Sequence, residues 1–346
     1  MGRYWVGGAT GFLGSHLVRQ LVSAGHEVIA VSRSGGRIDQ LEVAAVDILD
    51  EDAVRKSAAG PDGKGCDGAF LCTGKVSRDK DDAAALHELH VVGTRRALAA
   101  LRAAGVKRVV YASTSGTIAV GRDPDSLFSE RDHAPLDIIA RWPYYRTKLY
   151  AEREALEAIS DDFEVVIVNP TLLLGPGDER NSSTGDVKRF LERRVPAVPG
   201  GGMSFVDVRD VASAMIVAFD KGQSGERYLL CAKNLTIAAF FQRLERLTGI
   251  PGPKLRLPKT RALAIGANKL FSRAIEAVGG TPPVDEISVE MAQYFWYCDS
   301  SKAERELGFK PRDPGETLRD TVSDLVERRV AFPDGAVVLS RPPASA

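Results

Sequence analysis

The sequence predicts an α/β fold, a doubly wound parallel sheet with a smaller, mainly helical C-terminal lobe. Three observations lead there. Up to residue 175, short apolar runs alternate with stretches of helical spacing. The runs are unbroken, as in strands covered on both faces. Beyond Gly175 the alternation gives way to loops rich in Gly, Pro and Ser, and then to helices.

Taken in order, residues 3–8 (RYWVGG) form a first strand, and residues 12–26 a helix with apolar positions at Phe12, Leu13, Leu17, Val18 and Leu21. Residues 27–33 (EVIAVSR) and 41–48 (LEVAAVDI) are the next strands, with a short helix at 50–60. A fourth strand at 67–74 leads into a long helix over 81–105, closed by Gly105 as a C-cap. A strand at 107–114 (KRVVYAST), a helix at 143–159 and a strand at 163–175 complete the alternation. Residues 203–219 read as a strand and helix returning to the main sheet, and helices at 236–249, 260–280 and 315–330 build the smaller lobe. The expected division is 1–175 with 203–230 for the main domain, 176–202 with 231–335 for the lobe, and a disordered tail at 336–346.

At 346 residues the chain is longer than one core usually supports. Lys plus Arg and Asp plus Glu number 46 each, so no overall field draws nucleic acid or a membrane surface. No uncharged apolar run reaches membrane-spanning length, and the first residues enter a strand without signal-peptide regions. A cytoplasmic location is expected. The four cysteines form no CxxC pair, and Cys72 and Cys231 lie in apolar runs as buried thiols.

Gly8, Gly11 and Gly14 stand between the first strand and the first helix. The first permits a tight turn, the second lets backbone amides approach a pyrophosphate, and the third lets the helix pack on the strand. At the first βα turn of an alternating chain, this spacing points to a Rossmann dinucleotide site. The second strand ends in VSRSGGR, with Arg33 and Arg37 where a carboxylate would hold ribose hydroxyls. A guanidinium there suits a 2′-phosphate, so NADP(H) is favoured, with NAD(H) the alternative. Asp47 is placed to meet the adenine edge.

The stretch RWPYYRTKLYAERE puts Tyr144 and Lys148 four residues apart, on one helical face, with Tyr145 turned away. Taken alone, it reads as an amphipathic helix with a surface lysine.

These motifs together resemble the extended short-chain dehydrogenases/reductases, in particular the group similar to dihydroflavonol 4-reductase, often labelled NAD-dependent epimerase/dehydratase. The resemblance covers roughly residues 3 to 325 and rests on GATGFLG, RVVYAST, YYRTK, VIVNPTLLLGPGD, FVDVRDVA, GERYLL and DSSKAERELGFKPR. It implies a catalytic set of Thr114, Tyr144 and Lys148, with Ser113 the lesser candidate beside Thr114. Lys148 would lower the Tyr144 pKa and hold the nicotinamide ribose, and Thr114 would bond the substrate oxygen that Tyr144 protonates. Cofactor contacts are implied at Gly8, Thr10, Gly11, Phe12, Leu13, Gly14, Arg33, Asp47, Ile48, Cys72, Thr73, Gly74, Asn169, Pro170 and Thr171, besides Tyr144 and Lys148.

Two departures stand out. His90 occupies the place of the family's Asn in HVVGT, where it either replaces a polar contact or titrates near neutral pH. His87 and His90 lack HExxH spacing and a third ligand, so no metal site is expected. Thr73-Gly74-Lys75 stands where relatives often carry Ala-Ala, and Lys75 reaches an acidic substrate group or is solvated.

Ser115-Gly116 follows Thr114 where dehydratases carry Asp-Glu, which disfavours dehydration. Leu172, Leu173, Leu174 and the apolar PAVPGGGMSF suit a hydrophobic substrate. The expected function is NAD(P)H-dependent reduction of a ketone on a small hydrophobic molecule. The alternatives are a nucleotide-sugar epimerase with tightly held NAD, or an NADP-binding sensor without turnover. The resemblance also implies a homodimer through the 81–105 and 143–159 helices.

Overall fold

A computed structural model describes residues 1–60, 62–258, 263, 266 and 286–331. The main sheet has eight strands: β1 (Arg3–Gly7), β2 (Glu27–Ser32), β3 (Gly36–Ile38), β4 (Leu41–Ala45), β5 (Gly68–Leu71), β6 (Arg108–Ala112), β7 (Glu164–Pro170) and β10 (Arg227–Leu230). Their order is β10-β7-β6-β5-β1-β2-β4-β3, parallel throughout except for the β3–β4 hairpin at one edge. The chain winds outward in both directions from β1, so a crevice opens at the carboxyl ends of β1 and β5.

Helices cover both faces. On one, α1 (Phe12–Ser23) and α8 (Val208–Lys221) bury Leu17, Leu21, Val211 and Met215 against Val6, Phe70 and Val166. On the other, α2 (Glu51–Ala59), α4 (Gly93–Ala103) and α6 (Pro143–Glu157) bury Val54, Leu98, Leu101 and Ala151 against Trp5, Leu71 and Ile167. This two-sided burial is why the strands read as unbroken apolar runs.

The smaller lobe is built on a second sheet, in the order β11 (Lys233–Thr236), β9 (Gly202–Asp207), β8 (Leu172–Leu174). Helices α7 (Gly185–Leu191), α9 (Ile237–Thr248) and α12 (Pro314–Glu327) pack on it through Phe190, Phe240, Leu244, Leu318 and Val322. Short helices α3 (Ala83–His87), α5 (Leu136–Ile139), α10 (Glu286–Met291) and α11 (Ser301–Leu307) complete the described elements.

Three sequence expectations change. The strand expected at 163–175 is two strands in different sheets, parted at Thr171 just after Pro170, which has no amide hydrogen to extend a ladder. The 203–219 strand does not return to the main sheet: β9 pairs with β8 and β11, and β10 takes the place beside β7. The helix over 81–105 contains a π-helical turn at Glu88–Val92 between α3 and α4. Most of the helix expected at 260–280, and the tail at 336–346, lie outside the described residues.

Phe70 is fully buried, with the rings of Tyr4 and Phe219 at 5.6 and 5.7 Å. Phe70→Ala is expected to cost about 3–5 kcal/mol of stability, read from urea unfolding. A loss below about 1 kcal/mol would show that this core collapses onto the void.

Candidate active site

The crevice at β1 and β5 begins with the glycine loop. Gly8 adopts φ +75°, and a Cβ there would lie 2.8 Å from the Thr73 amide nitrogen. A Cβ on Gly14 would strike the Gly8 carbonyl oxygen, which also accepts the Gly11 amide at 2.9 Å. The first turn of α1 has no side-chain cap and no acidic residue, so its amides are open to an anion. Thr73 Oγ1 is buried without a partner. Arg33, on the turn into β3, and Arg37, within β3, are exposed, and a Cβ on Gly36 would lie 3.6 Å from Thr10, which sets this turn beside the glycine loop. Open amides, an orphaned hydroxyl and space that only glycine leaves free fit a dinucleotide.

The remaining expected contacts differ in access. Asp47 is half-buried and accepts the Leu49 amide at 3.0 Å, while Ile48 is buried beside it. Cys72 is half-buried at the end of β5, and burial pushes its thiol up to about 12. Gly74 is exposed, Thr171 is buried with its hydroxyl on the Leu230 carbonyl, and Pro170 closes β7. Asn169 is fully buried, and its amide nitrogen is committed to the Thr114 carbonyl at 3.0 Å and to Glu152 at 2.7 Å. Its side chain thus stands behind the Thr114 loop and not on the crevice.

The α6 helix begins with Pro143 at its first turn and lays Tyr144, Lys148 and Glu152 along one stripe. Lys148 is buried, and its ammonium donates to the Ala112 carbonyl at 2.7 Å and to the Tyr111 hydroxyl at 2.9 Å. Burial pulls its pKa down to about 8, opposed by the charge of Glu152. Burial pushes the Tyr144 phenol above its ordinary range, followed by its neighbours Tyr145 and Tyr111, while a hydrogen bond with Thr114 pulls it down. The sequence expectation that Lys148 lowers the Tyr144 pKa is therefore not met: the ammonium is turned to Tyr111 and Ala112, and desolvation dominates the phenol. Ser113 donates to Glu152, which takes its hydroxyl out of contention and leaves Thr114 beside Tyr144.

Tyr144, Tyr145 and Thr114 line one end of a cavity of about 590 Å³. Trp142 and Trp296 stand beside Tyr145, whose ring centroid lies 4.8 Å from that of Trp296. Leu172, Met203, Phe240 and Phe241 of the smaller lobe supply apolar walls.

The departures resolve physically. His90 is buried at the π-helical turn, accepts the Lys75 amide at Nε2 (3.1 Å) and meets Thr147 Oγ1 at Nδ1 (2.9 Å). One nitrogen accepting makes the other the N–H, so the ring is neutral and replaces a polar contact. Burial, then Lys148, push its pKa down to about 3, far from neutral titration. Lys75 is exposed, as expected of a solvated lysine, and its ammonium pairs with Asp82 at 2.8 Å. His87 is exposed, and the described residues hold no cluster of three metal-ligating side chains.

Sequence reading missed Tyr111 and Glu152. Glu152 had a signal, one turn beyond Lys148 on the same stripe. Tyr111 had only its place at the end of β6, three residues before Thr114.

Fold and crevice define an NAD(P)-dependent oxidoreductase. The chain belongs to the NAD-dependent epimerase/dehydratase family, whose model matches residues 4–231. It is 33% identical over 328 residues to a Synechocystis protein bearing the name dihydroflavonol 4-reductase, covering 93% of each chain. It is 34% identical over 332 residues to sterol demethylase protein B of Methylococcus capsulatus, covering 93% of this chain and 98% of that one. Among solved structures, a nucleoside-diphosphate-sugar epimerase of Pseudomonas aeruginosa shares the fold at TM-score 0.74 and 23% identity, over 95% of this chain and 99% of that one. No helix among the described residues is long and apolar enough to cross a membrane.

The buried neutral His90 carries a pH signature. Its folded pKa lies below the ordinary 6.5, so its contribution to stability is complete above about 6.5 and is lost as pH falls toward about 3. Between pH 7 and 5, wild type is expected to lose up to about 1.4 kcal/mol more per pH unit than His90→Asn. Urea titrations of both proteins at pH 7, 6 and 5 check this, and parallel losses would show that the ring is not held neutral.

Proposed function

We propose that this enzyme reduces a ketone on a hydrophobic substrate, using NADPH in preference to NADH, through Thr114, Tyr144 and Lys148. The observation that carries the reading is that Thr114 and Tyr144 stand together at one end of a largely apolar cavity, one helical turn from the buried ammonium of Lys148. When bound, the reduced nicotinamide supplies hydride to the carbonyl carbon. Thr114 donates to the carbonyl oxygen and orients it. Tyr144, kept protonated by burial, gives that oxygen its proton as negative charge grows there. Lys148 has two of its three N–H bonds filled by Ala112 and Tyr111, which leaves the third for a ribose hydroxyl. Tyr145, Trp142 and Trp296 exclude water and hold flat apolar groups.

Hydrophobic substrate choice is supported by the walls of Leu172, Met203, Phe240 and Phe241, and by the sterol in one relative's name. NADPH preference is supported by Arg33, which is exposed beside the glycine loop with no acidic residue at the end of β2. We also propose a two-fold dimer through α4 and α6, whose outer surface shows Tyr150 and Leu156 at 37% and 36% exposure.

The test is NADPH oxidation with dihydroquercetin, a 2-alkyl-3-oxo ester and a 3-oxosteroid. Turnover of at least one is expected, and Tyr144→Phe should cut it by about 10²-fold or more while cofactor binding persists. Tyr145→Phe should be far milder, and the reverse order would displace Tyr144 as the acid. Copurified NAD with no net NADPH consumption would favour epimerisation instead.

Arg33→Ala should weaken NADPH binding by about tenfold or more and leave NADH nearly unchanged. Equal losses would mean that Arg33 stacks on adenine, which both cofactors share. For the dimer, light scattering at micromolar concentration should give twice the chain mass.

A further inference from the structure

We propose that Glu152 is a positioning residue for the reaction: its carboxylate fixes the loop that carries Thr114 and supplies the negative charge that keeps the Lys148 ammonium in place. This rests on the Thr114–Tyr144–Lys148 reading above.

Glu152 is 2% exposed. Its Oε1 receives the Thr117 hydroxyl and the Asn169 amide, each at 2.7 Å, and the Ser113 hydroxyl. The Asn169 amide also holds Thr114, its second N–H donating to the Thr114 carbonyl at 3.0 Å, and Thr117 Oγ1 lies within reach of both that carbonyl, at 2.9 Å, and the carboxylate, its one hydrogen serving either. One carboxylate oxygen therefore gathers the groups that fix the backbone of Thr114.

The same neighbours bear on its charge. Oε1 is met by two hydroxyls and the Asn169 amide, and Oε2 is buried with no hydrogen-bond partner. The Arg227 guanidinium stands 3.6 Å from Oε2. Burial raises the Glu152 carboxyl above its ordinary range, and the Ser113 and Thr117 hydroxyls, the Arg227 guanidinium and the Asn169 amide oppose that shift and favour the carboxylate. Lys148 faces Glu152 along α6, Tyr111 on β6, Cys72 at the end of β5 and His90 on the π-helical turn. Of these, Tyr111, Cys72 and His90 are neutral at pH 7, since burial drives each away from its charged form. Glu152 is thus the counter-charge for Lys148 in this interior.

Geometry and charge separate in two substitutions. Glu152→Gln keeps an acceptor in place and loses the charge. Glu152→Asp keeps the charge and withdraws it from the three donors. The readout is kcat and KM from pH 6 to 10, by NADPH oxidation with dihydroquercetin, the 2-alkyl-3-oxo ester and the 3-oxosteroid. Without the carboxylate charge, Lys148 loses its proton at lower pH, so the alkaline limb in Glu152→Gln should move down by about one pH unit or more. In Glu152→Asp the limb should stay within about 0.3 unit while kcat falls about tenfold, because Thr114 is no longer held. An unmoved limb in Glu152→Gln, or equal movement in both variants, overturns the proposal. If Glu152→Gln does not fold, Glu152→Asp decides alone: a moved limb or an unchanged kcat overturns it. Lys148→Met, assayed in parallel, tests the underlying reading, since retained turnover there would sink the assignment of the site whatever Glu152 does.

Discussion

The buried ammonium of Lys148 constrains everything around it. Taking such a cation out of water costs several kcal/mol, and only well-placed partners offset that cost. The Ala112 carbonyl and the Tyr111 hydroxyl do so at 2.7 and 2.9 Å, with Glu152 one turn further along the helix. Both β6 partners exist only if that strand ends opposite this turn of α6. Parallel pairing of β6 with β7 sets that end, through Tyr111 against Ile167 and Ala112 against Val168, and the Ser113 amide donates to the Val168 carbonyl at 2.8 Å. The register that satisfies the lysine also delivers Thr114 to the cavity. Sheet geometry and site geometry are thus one constraint, which is why catalytic groups gather at the carboxyl ends of such strands.

The smaller lobe has a different task. Its walls face the cavity, yet the hydrogen-bonded groups around Lys148 come from the main sheet and from α6. The chain crosses from one sheet to the other at Thr171, after Pro170 ends the ladder, and the lobe is tied back by charge. Arg209 bonds Asp207 and Asp320 at 2.7 and 2.6 Å, and Arg312 bonds Asp210 at 2.8 Å. Those five charged residues join the start of α8 to α12 and to the loop before it. Walls carried on a lobe anchored in this way can vary without moving the groups around Lys148.

Much of this was legible in the sequence. The parallel sheet was, because strands covered on both faces give unbroken apolar runs. The glycine loop was, because Gly8 and Gly14 sit where a Cβ would strike backbone. The second sheet was not. Its strands β8 and β11 are three and four residues long, and β8 continues the apolar run of β7, so periodicity cannot separate them. The π-helical turn at Glu88–Val92 leaves no mark on a helical pattern either, since it shifts phase by a fraction of a turn. Within the site, Tyr144 and Lys148 were visible as a pair. The direction in which Lys148 points was not, because it depends on Tyr111 and Ala112 on a strand 36 or more residues away.

Burial acts on the two central groups in opposite senses. It raises the phenol of Tyr144 and lowers the ammonium of Lys148 from 10.5 to about 8. In water a lysine and a tyrosine titrate close together, near 10. Here their order is fixed: the lysine gives up its proton well before the tyrosine does. Tyr144 therefore remains a phenol through the neutral range, the form that the proposed reduction requires. That separation comes from a shared apolar surround, so the same desolvation that keeps the phenol protonated also brings the lysine close to its own titration.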